Sequence, residues 1–310
     1  MNGALVVDKP AGPTSHDVVA RVRRAIGIPR IGHTGTLDPL ATGVLPLVVG
    51  RATRLAQFLT SDEKEYIAAV RLGSATATYD AEERVIYDDD GQPVGLRPAP
   101  GEGAIPEEML VGALREFTGT YWQVPPPFSA KKIGGTPAYV LARLRKDVEI
   151  KPVQVTVREL ELLKYEAGLV TLRVACSSGY YVRSLAHDLG QHLGCGGHLE
   201  TLRRIRAGEF TADQGVALEI IEREGPDAVV RLRPMTELLS RLPHVVVNAR
   251  GARRAAHGNA LAVEDLWEAE RTVPASAGPG PVRVLDADGA LLAIGEPAAG
   301  GLLQPIVVLV

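Results

Sequence analysis

Two runs of alternating apolar and polar residues, VQVTVREL (153–160) and LVTLRVAC (169–176), stand on either side of the tetrapeptide YEAG (165–168). Alternation with period two puts the apolar side chains on one face, and a glycine-containing turn between two such runs brings the chain back alongside itself. The stretch therefore reads as an antiparallel β-pair. A strand-like YIAAVRLG (66–73) and the short apolar runs ALVV (4–7) and VLPLVVG (44–50) are mixed with helical patterns, without a repeating βαβ rhythm. A doubly wound parallel sheet needs that rhythm, so the expected class is α+β.

The helical patterns have start and stop signals. Val18, Val19, Val22 and Ile26 recur at helical spacing after Ser15, which reads as the N-cap, and Gly27 follows as the stop. ATRLAQFLT (52–60), VRSLAHDLGQHL (182–193) and LEIIEREGPDAVVRL (218–232) read as further helices. Two stretches read as surface loops: the acidic, Gly- and Pro-rich 88–103, and YWQVPPPFSA (121–130), whose three consecutive prolines exclude helix and central strand. The second runs into Lys131 and Lys132 and is the better candidate for a functional loop. Near Pro243 the chain turns to small residues, glycine and short apolar runs, and Asp288-Gly289 between apolar segments signals a hairpin. A domain over 1–242 and a smaller one over 243–310 are expected.

At 310 residues, 45% hydrophobic and 23% charged, the chain can bury a sizeable core, which excludes disorder and disulfide scaffolds. Only two cysteines are present, and the first residues offer neither a basic n-region nor a long apolar run. A soluble protein of a reducing compartment, hence cytoplasmic, is expected. The uncharged stretch Leu40 to Gly50 is too short to cross a bilayer.

The net charge of −3 combines unlike pieces. Residues 1–60 carry 7 Lys/Arg against 3 Asp/Glu and 129–183 carry 10 against 5, whereas 61–128 carry 5 against 13 and 255–310 carry 2 against 7. Phosphate binding follows the local field rather than the total, so two basic blocks suffice for a positive groove.

The densest motif is GHTGTLDPLATGVLPL (32–47). Asp38-Pro39 is a common helix-start pair, but Gly43 and Pro46 leave little helix to cap. The alternative is a rigid loop that presents a carboxylate: Pro39 restricts Asp38 to extended backbone, and glycines at 32, 35 and 43 allow a ligand close to the main chain. The stretch lacks the Gly-Lys-Ser/Thr of a P-loop and the spacing of a dinucleotide fingerprint.

With LVVDKPAGPTSHDVV (5–19) before it and KEYIAAVRLG (64–73) after it, this motif resembles the TruB family of tRNA pseudouridine synthases, which modify the T-loop uridine at position 55. VPPPFSAKKIGGTPAY (124–139), SSGYYVRSLAHDLG (177–190) and GCGGHLETLRRIRAGEF (194–210) resemble further family segments, in order, over roughly Leu5 to Phe210. The resemblance implies a mixed, largely antiparallel central sheet flanked by helices, with a small β-barrel-like RNA-binding (PUA) domain at the C-terminus. It also implies a cofactor-free isomerase that flips a uridine out of the T-arm of tRNA, breaks its glycosidic bond, rotates the base and rejoins it through carbon.

By that resemblance Asp38 is the essential carboxylate, acting on the sugar or base covalently or removing a sugar proton to give a glycal. An ionised, compact Asp suits each role. Arg183 matches its charge partner. Near the start of a helix a cation meets the unfavourable end of the dipole, which a nearby anion would offset. Tyr66 matches the tyrosine that stacks on the target base, Tyr181 a second pocket tyrosine, and His33 the residue that enters the RNA loop. Lys9, with Pro10, shapes the site, Lys64 contacts phosphate, and Leu202 falls in a motif position. Arg203, Arg204 and Arg206 track the stem backbone or solvate a helix face. His187, His192, Cys195 and His198 lie close in sequence, but His187 and His192 do not share a helix face, so no metal site is expected. The partner is tRNA, with no obligate protein partner and a monomeric state, the first motif at Leu5 favouring the stand-alone branch over the guide-RNA-dependent one. A tRNA-folding chaperone with secondary catalysis is the other reading. Residues 243–310 match the PUA domain weakly; Arg250, Arg253 and Arg254 are its candidate RNA contacts.

Overall fold

The computed structural model describes residues 1–60, 63–82, 105–129, 131–144, 150–267 and 280–310. The first elements are β1 (Gly3–Lys9), α1 (Ser15–Ile26), β2 (Ile31–His33), β3 (Thr42–Val49), a 3-10 turn (Gly50–Leu55), α2 (Ala56–Thr60) and β4 (Lys64–Leu72). Next come α3 (Glu107–Glu116), β5 (Gly119–Gln123), the ribbon β6 (Lys132–Ile133) and β7 (Thr136–Pro137), and α4 (Ala138–Arg143). The pair β8 (Val153–Glu166) and β9 (Leu169–Cys176) leads to α5 (Val182–His192) and β10 (Gly197–Ala207). β11 (Phe210–Thr211), β12 (Val216–Ala217), α6 (Leu218–Glu224) and β13 (Arg233–Pro234) follow, and the chain ends with β14 (His244–Val246), α7 (Ala249–Ala256), β15 (Val282–Leu285), β16 (Leu291–Ala298) and β17 (Leu302–Val308).

Eleven strands form one sheet in the order β12-β1-β3-β10-β4-β9-β8-β5, with β2, β11 and β13 attached beside it. Among the described strands of this sheet only β1 with β12 and β3 with β10 run parallel. The α+β, largely antiparallel reading therefore holds. The β8–β9 turn places Ala167 at φ 48° and Gly168 at φ 75°, the two positive angles of the tight turn that suits the twist of a hairpin. β1 and β3 are buried on both faces, which explains their lack of alternation: Leu5, Val7, Leu45 and Leu47 enter a core under α1, α3, α5 and α6, while Ala4, Val6, Val44 and Val48 enter a second core on the opposite face.

Thr14, not Ser15, caps α1. Thr14 Oγ1 accepts from Asp17 N at 3.1 Å and Thr14 N donates to Asp17 Oδ2 at 2.9 Å, a reciprocal capping box. Ser15 is the first helical residue, and its buried hydroxyl accepts from Leu37 N at 2.8 Å and donates to Leu37 O at 3.0 Å. Gly27 ends the helix at φ 70° as expected. The acidic stretch 88–103 lies outside the described residues. YWQVPPPFSA begins as the end of β5 before its prolines break the strand.

The C-terminal segment forms a separate four-stranded sheet, β14-β15-β16-β17, extended by bridges Val247–Leu266 and Leu261–Leu303; among the described residues it does not close into a barrel. The expected hairpin is present, with Gly289 at φ 80° between β15 and β16. No helix among the described residues is long and apolar enough to cross a membrane.

The helix that carries Arg183 packs on β10 through bare backbone. A Cβ on Gly190 would lie 2.1 Å from Gly197 N and 2.2 Å from Gly196 C, and neither atom can swing aside. Gly190→Ala should therefore destabilise the protein by about 2 to 3 kcal/mol, the usual cost of overpacking, read as a lower urea midpoint at unchanged slope.

Candidate active site

The segment between β2 and β3 has neither helix nor sheet to satisfy its carbonyls, and two buried cations do so instead. Lys9, fully buried at the end of β1, donates from Nζ to Ala41 O at 2.7 Å and to Pro39 O and Pro10 O at 3.0 Å. Arg204, 1% exposed on β10, donates to Val44 O at 2.7 Å, Gly35 O at 3.0 Å and Thr36 O at 3.4 Å. With Ser15 on Leu37 and Gly12 N on Pro39 O at 2.9 Å, the backbone around Asp38 is held from several sides. No helix follows Asp38, so the loop reading prevails over the helix-cap reading.

Asp38 is one-third exposed and faces a pocket of about 580 Å³. Arg183, the second residue of α5, donates from Nη2 to Asp38 Oδ1 at 3.0 Å, while its Nε lies 2.9 Å from Oδ2 as an ion-pair contact without hydrogen-bond alignment. The same guanidinium reaches Asp80 Oδ2 at 3.3 Å, Thr78 O at 3.1 Å and Phe128 O at 2.9 Å. Two carboxylates thus offset a cation at a helix start, the anion that its position required. Removal from water holds the Asp38 carboxyl above the ordinary carboxylate range; Arg183 opposes this shift, Asp80 adds to it, and Lys9 opposes it.

The pocket wall includes Lys64, Tyr66, Tyr181, Leu202 and Arg204 besides Asp38 and Arg183. Tyr66 on β4 lies directly across from Arg204 in the strand register, and burial pushes its phenol up to about 12, so it is un-ionised at neutral pH. Lys64 is buried and donates to Thr60 O at 2.5 Å. Tyr181 is half-buried; its backbone N–H and carbonyl are gripped by the Gln123 amide at 2.9 and 3.0 Å. Tyr180 is a core residue bonded to the Tyr121 hydroxyl at 3.2 Å.

Other expected residues fall elsewhere. Lys9 stands behind the loop. His33 is not part of the pocket wall: its ring meets His16 edge-on at 5.2 Å, and burial, His16 and Arg204 hold it below its ordinary pKa. Arg203 points to the opposite face of β10, where it forms a two-pronged pair with Asp8 at 3.0 and 2.9 Å. This stretch is a strand, not a helix face, and period two separates Arg203 from Leu202 and Arg204. Gly43, read as room for a ligand, serves strand packing: a Cβ there would sit 2.2 Å from Arg204 O, whereas Gly35 does line the pocket. Arg204 was read as a contact to the stem backbone or a solvated residue and is instead buried against the Asp38 loop, while Asp80 is a site residue that sequence reasoning missed. Leu202, two positions before Arg204 on the same strand, was the available signal for the inward direction of Arg204. His192 meets Phe117 edge-on at 6.2 Å, and His198 Nδ1 lies 3.0 Å from Ser74 O.

Asp80 raises the Asp38 pKa by repulsion and shares its cation. Asp80→Asn should therefore move the Asp38 titration to lower pH, followed by NMR of the labelled carboxyl carbon; an unchanged midpoint would contradict the three-membered network.

The family profile described as "TruB family pseudouridylate synthase (N terminal domain)" matches residues 23–182, and that of the "tRNA pseudouridylate synthase B C-terminal domain" matches 183–239. A "tRNA pseudouridine synthase B" from Solibacter usitatus is 45% identical over 100% of both chains, and another from Thermobifida fusca is 42% identical over 99% of this chain and 98% of the relative. Among solved structures, a Cbf5-Nop10-Gar1 complex aligns with TM-score 0.71 and 26% identity over 99% of this chain and 85% of that one. A motif-bearing loop around a carboxylate, a pocket and an end-to-end match to curated relatives lead to one assignment: the chain belongs to the TruB family of pseudouridylate synthases.

Proposed function

We propose that this tRNA pseudouridine synthase isomerises one uridine of the T-loop, position 55 of tRNA, and needs neither a guide RNA nor a second protein. The observation that carries the reading is the Asp38 carboxylate, fixed by Arg183 at the wall of a pocket that also holds the Tyr66 ring. The reaction breaks the N1–C1′ bond and forms a C5–C1′ bond; C5 loses a proton and N1 gains one. Asp38 is the essential carboxylate, attacking the ribose at C1′, adding to the base, or removing the C2′ proton, and each of these requires the anion. Arg183 holds that anion in place without neutralising it. Tyr66 offers a flat un-ionised face to the extruded base, returning part of the unstacking cost of a few kcal/mol. Lys64 and Arg204, with Lys131 also on the wall, supply positive potential for the backbone around the flipped nucleotide.

The cytoplasm is the compartment where such an enzyme meets unmodified tRNA. The C-terminal sheet is proposed as the PUA-like unit of the family, beginning after residue 242.

Tritium release from C5-labelled uridine in an unmodified transcript, with the position mapped, tests the reading. The wild-type chain alone should release tritium from the T-loop, and Asp38→Asn should lose at least about 10³-fold in turnover with tRNA affinity within about threefold. Release only after addition of a guide RNA and partner proteins would refute the stand-alone reading. The rate should also be bell-shaped in pH. It falls on the acid side as Asp38 is protonated through its raised pKa, and on the alkaline side near pH 8, where Lys9, its pKa lowered to about 8 by burial, loses the charge that tethers the loop.

A further inference from the structure

Tyr79 adopts φ 66°, a left-handed conformation that costs a residue with a Cβ and is seldom taken by a tyrosine. It sits between two residues that both address Arg183: Thr78 through its carbonyl, 3.1 Å from Nη1, and Asp80 through its carboxylate, 3.3 Å from the same nitrogen. The turn brings these two groups onto one point. It is cross-braced by Thr76 Oγ1 to Asp80 O at 2.7 Å, Thr78 Oγ1 to Asp80 Oδ1 at 2.6 Å, and Leu199 N to Tyr79 O at 3.0 Å.

The Tyr79 side chain lies flat on the imidazole of His187, with ring centroids 3.8 Å apart and planes 7° from parallel. His187 is four residues after Arg183 on α5, so both side chains leave the same face of the helix, one turn apart. Its Nδ1 is buried and has no hydrogen-bond partner among the described residues, and burial holds the ring below its ordinary pKa, hence neutral. No hydrogen bond fixes that nitrogen; the face of the ring is what the turn uses. The helix thus grips the 76–80 turn twice, by charge at Arg183 and by stacking at His187.

We propose that the Tyr79–His187 stack is a positioning device: it holds the strained turn of Thr78 and Asp80 against Arg183 and, through Arg183, orients Asp38. The inference rests on the proposed isomerase reaction for its kinetic arm only. His187→Ala leaves the left-handed tyrosine unsupported, and should lower kcat by about tenfold with KM for tRNA within about twofold. Adding Tyr79→Gly, which takes the same φ without cost, should restore kcat to within about threefold of wild type, and Tyr79→Phe, which keeps the stack, should stay within about twofold. Wild-type kcat in His187→Ala, a loss that glycine does not restore, or a loss confined to KM would overturn the proposal.

A second readout needs no turnover. With Arg183 loosened, the Asp38 carboxyl should titrate at higher pH in His187→Ala than in wild type, by NMR of the labelled carbon. An unchanged midpoint would overturn the stack's role even if the wild type proved inactive on T-loop uridine, which would refute the proposed reaction and not this inference. Should circular dichroism show His187→Ala unfolded, Tyr79→Phe and Tyr79→Val serve instead. Valine neither stacks nor accepts the angle, and equal kcat and equal Asp38 titration in the two would overturn the proposal.

Discussion

A loop that presents an anion from outside helix and sheet must find other partners for its buried carbonyls. In this chain the difficulty is met by two buried cations. Lys9 and Arg204 donate to the carbonyls of Gly35, Thr36, Pro39 and Ala41 in the segment around Asp38 and to those of Pro10 and Val44 beside it, so that segment is held in place without regular structure. Neither cation forms an ion pair among the described residues, and an uncompensated buried charge is expensive. The cost is offset by charge-assisted hydrogen bonds and by the negative potential of Asp38 nearby, a main reason why Lys9, though depressed, keeps its proton at neutral pH.

The arrangement around Asp38 is a compromise between holding an anion and keeping it reactive. A fully dry aspartate would take up a proton, and a fully paired one would be inert. One cation shared by two carboxylates lies between these limits: Arg183 is formally outnumbered, so Asp38 is attracted without being neutralised, and repulsion from Asp80 keeps its basicity up. The position of Arg183 at the start of α5 works in the same direction, since the positive end of the helix dipole adds to the field that the anions meet.

Much of this was legible from period and punctuation. Alternation marked β8 and β9 and helical spacing marked α1 and α5, while the prolines and glycines around Asp38 left a presented carboxylate and a helix cap as equal readings until the loop itself was seen. What stayed hidden has physical causes. Arg203 and Arg204 are chemically identical and adjacent, and only the strand phase decides that one is a surface ion pair and the other a wholly buried cation. Gly43 looks like any glycine near a site, yet its requirement is the close parallel approach of β3 and β10, a long-range pairing with no local signature. Asp80 was visible as a residue but not as a partner, because its closeness to Arg183 depends on a turn that a tyrosine would not ordinarily make.

The C-terminal sheet illustrates how charge and packing separate. Of the arginines named above as candidate RNA contacts, Arg250 and Arg254 lie 3.1 and 3.2 Å from the fully buried Asp265, so α7 commits much of its positive charge to its own fold. Its apolar side is used differently. Leu291, Ile294, Val307 and Leu309 share a core with Ala52, Leu55 and Leu59, and Arg51 and Arg54 donate to the carbonyls of Leu309 and Val308. Residues 50–60 connect the strand that follows Asp38 to the strand that carries Lys64 and Tyr66. The last two strands of the chain therefore brace the connection between two walls of the pocket.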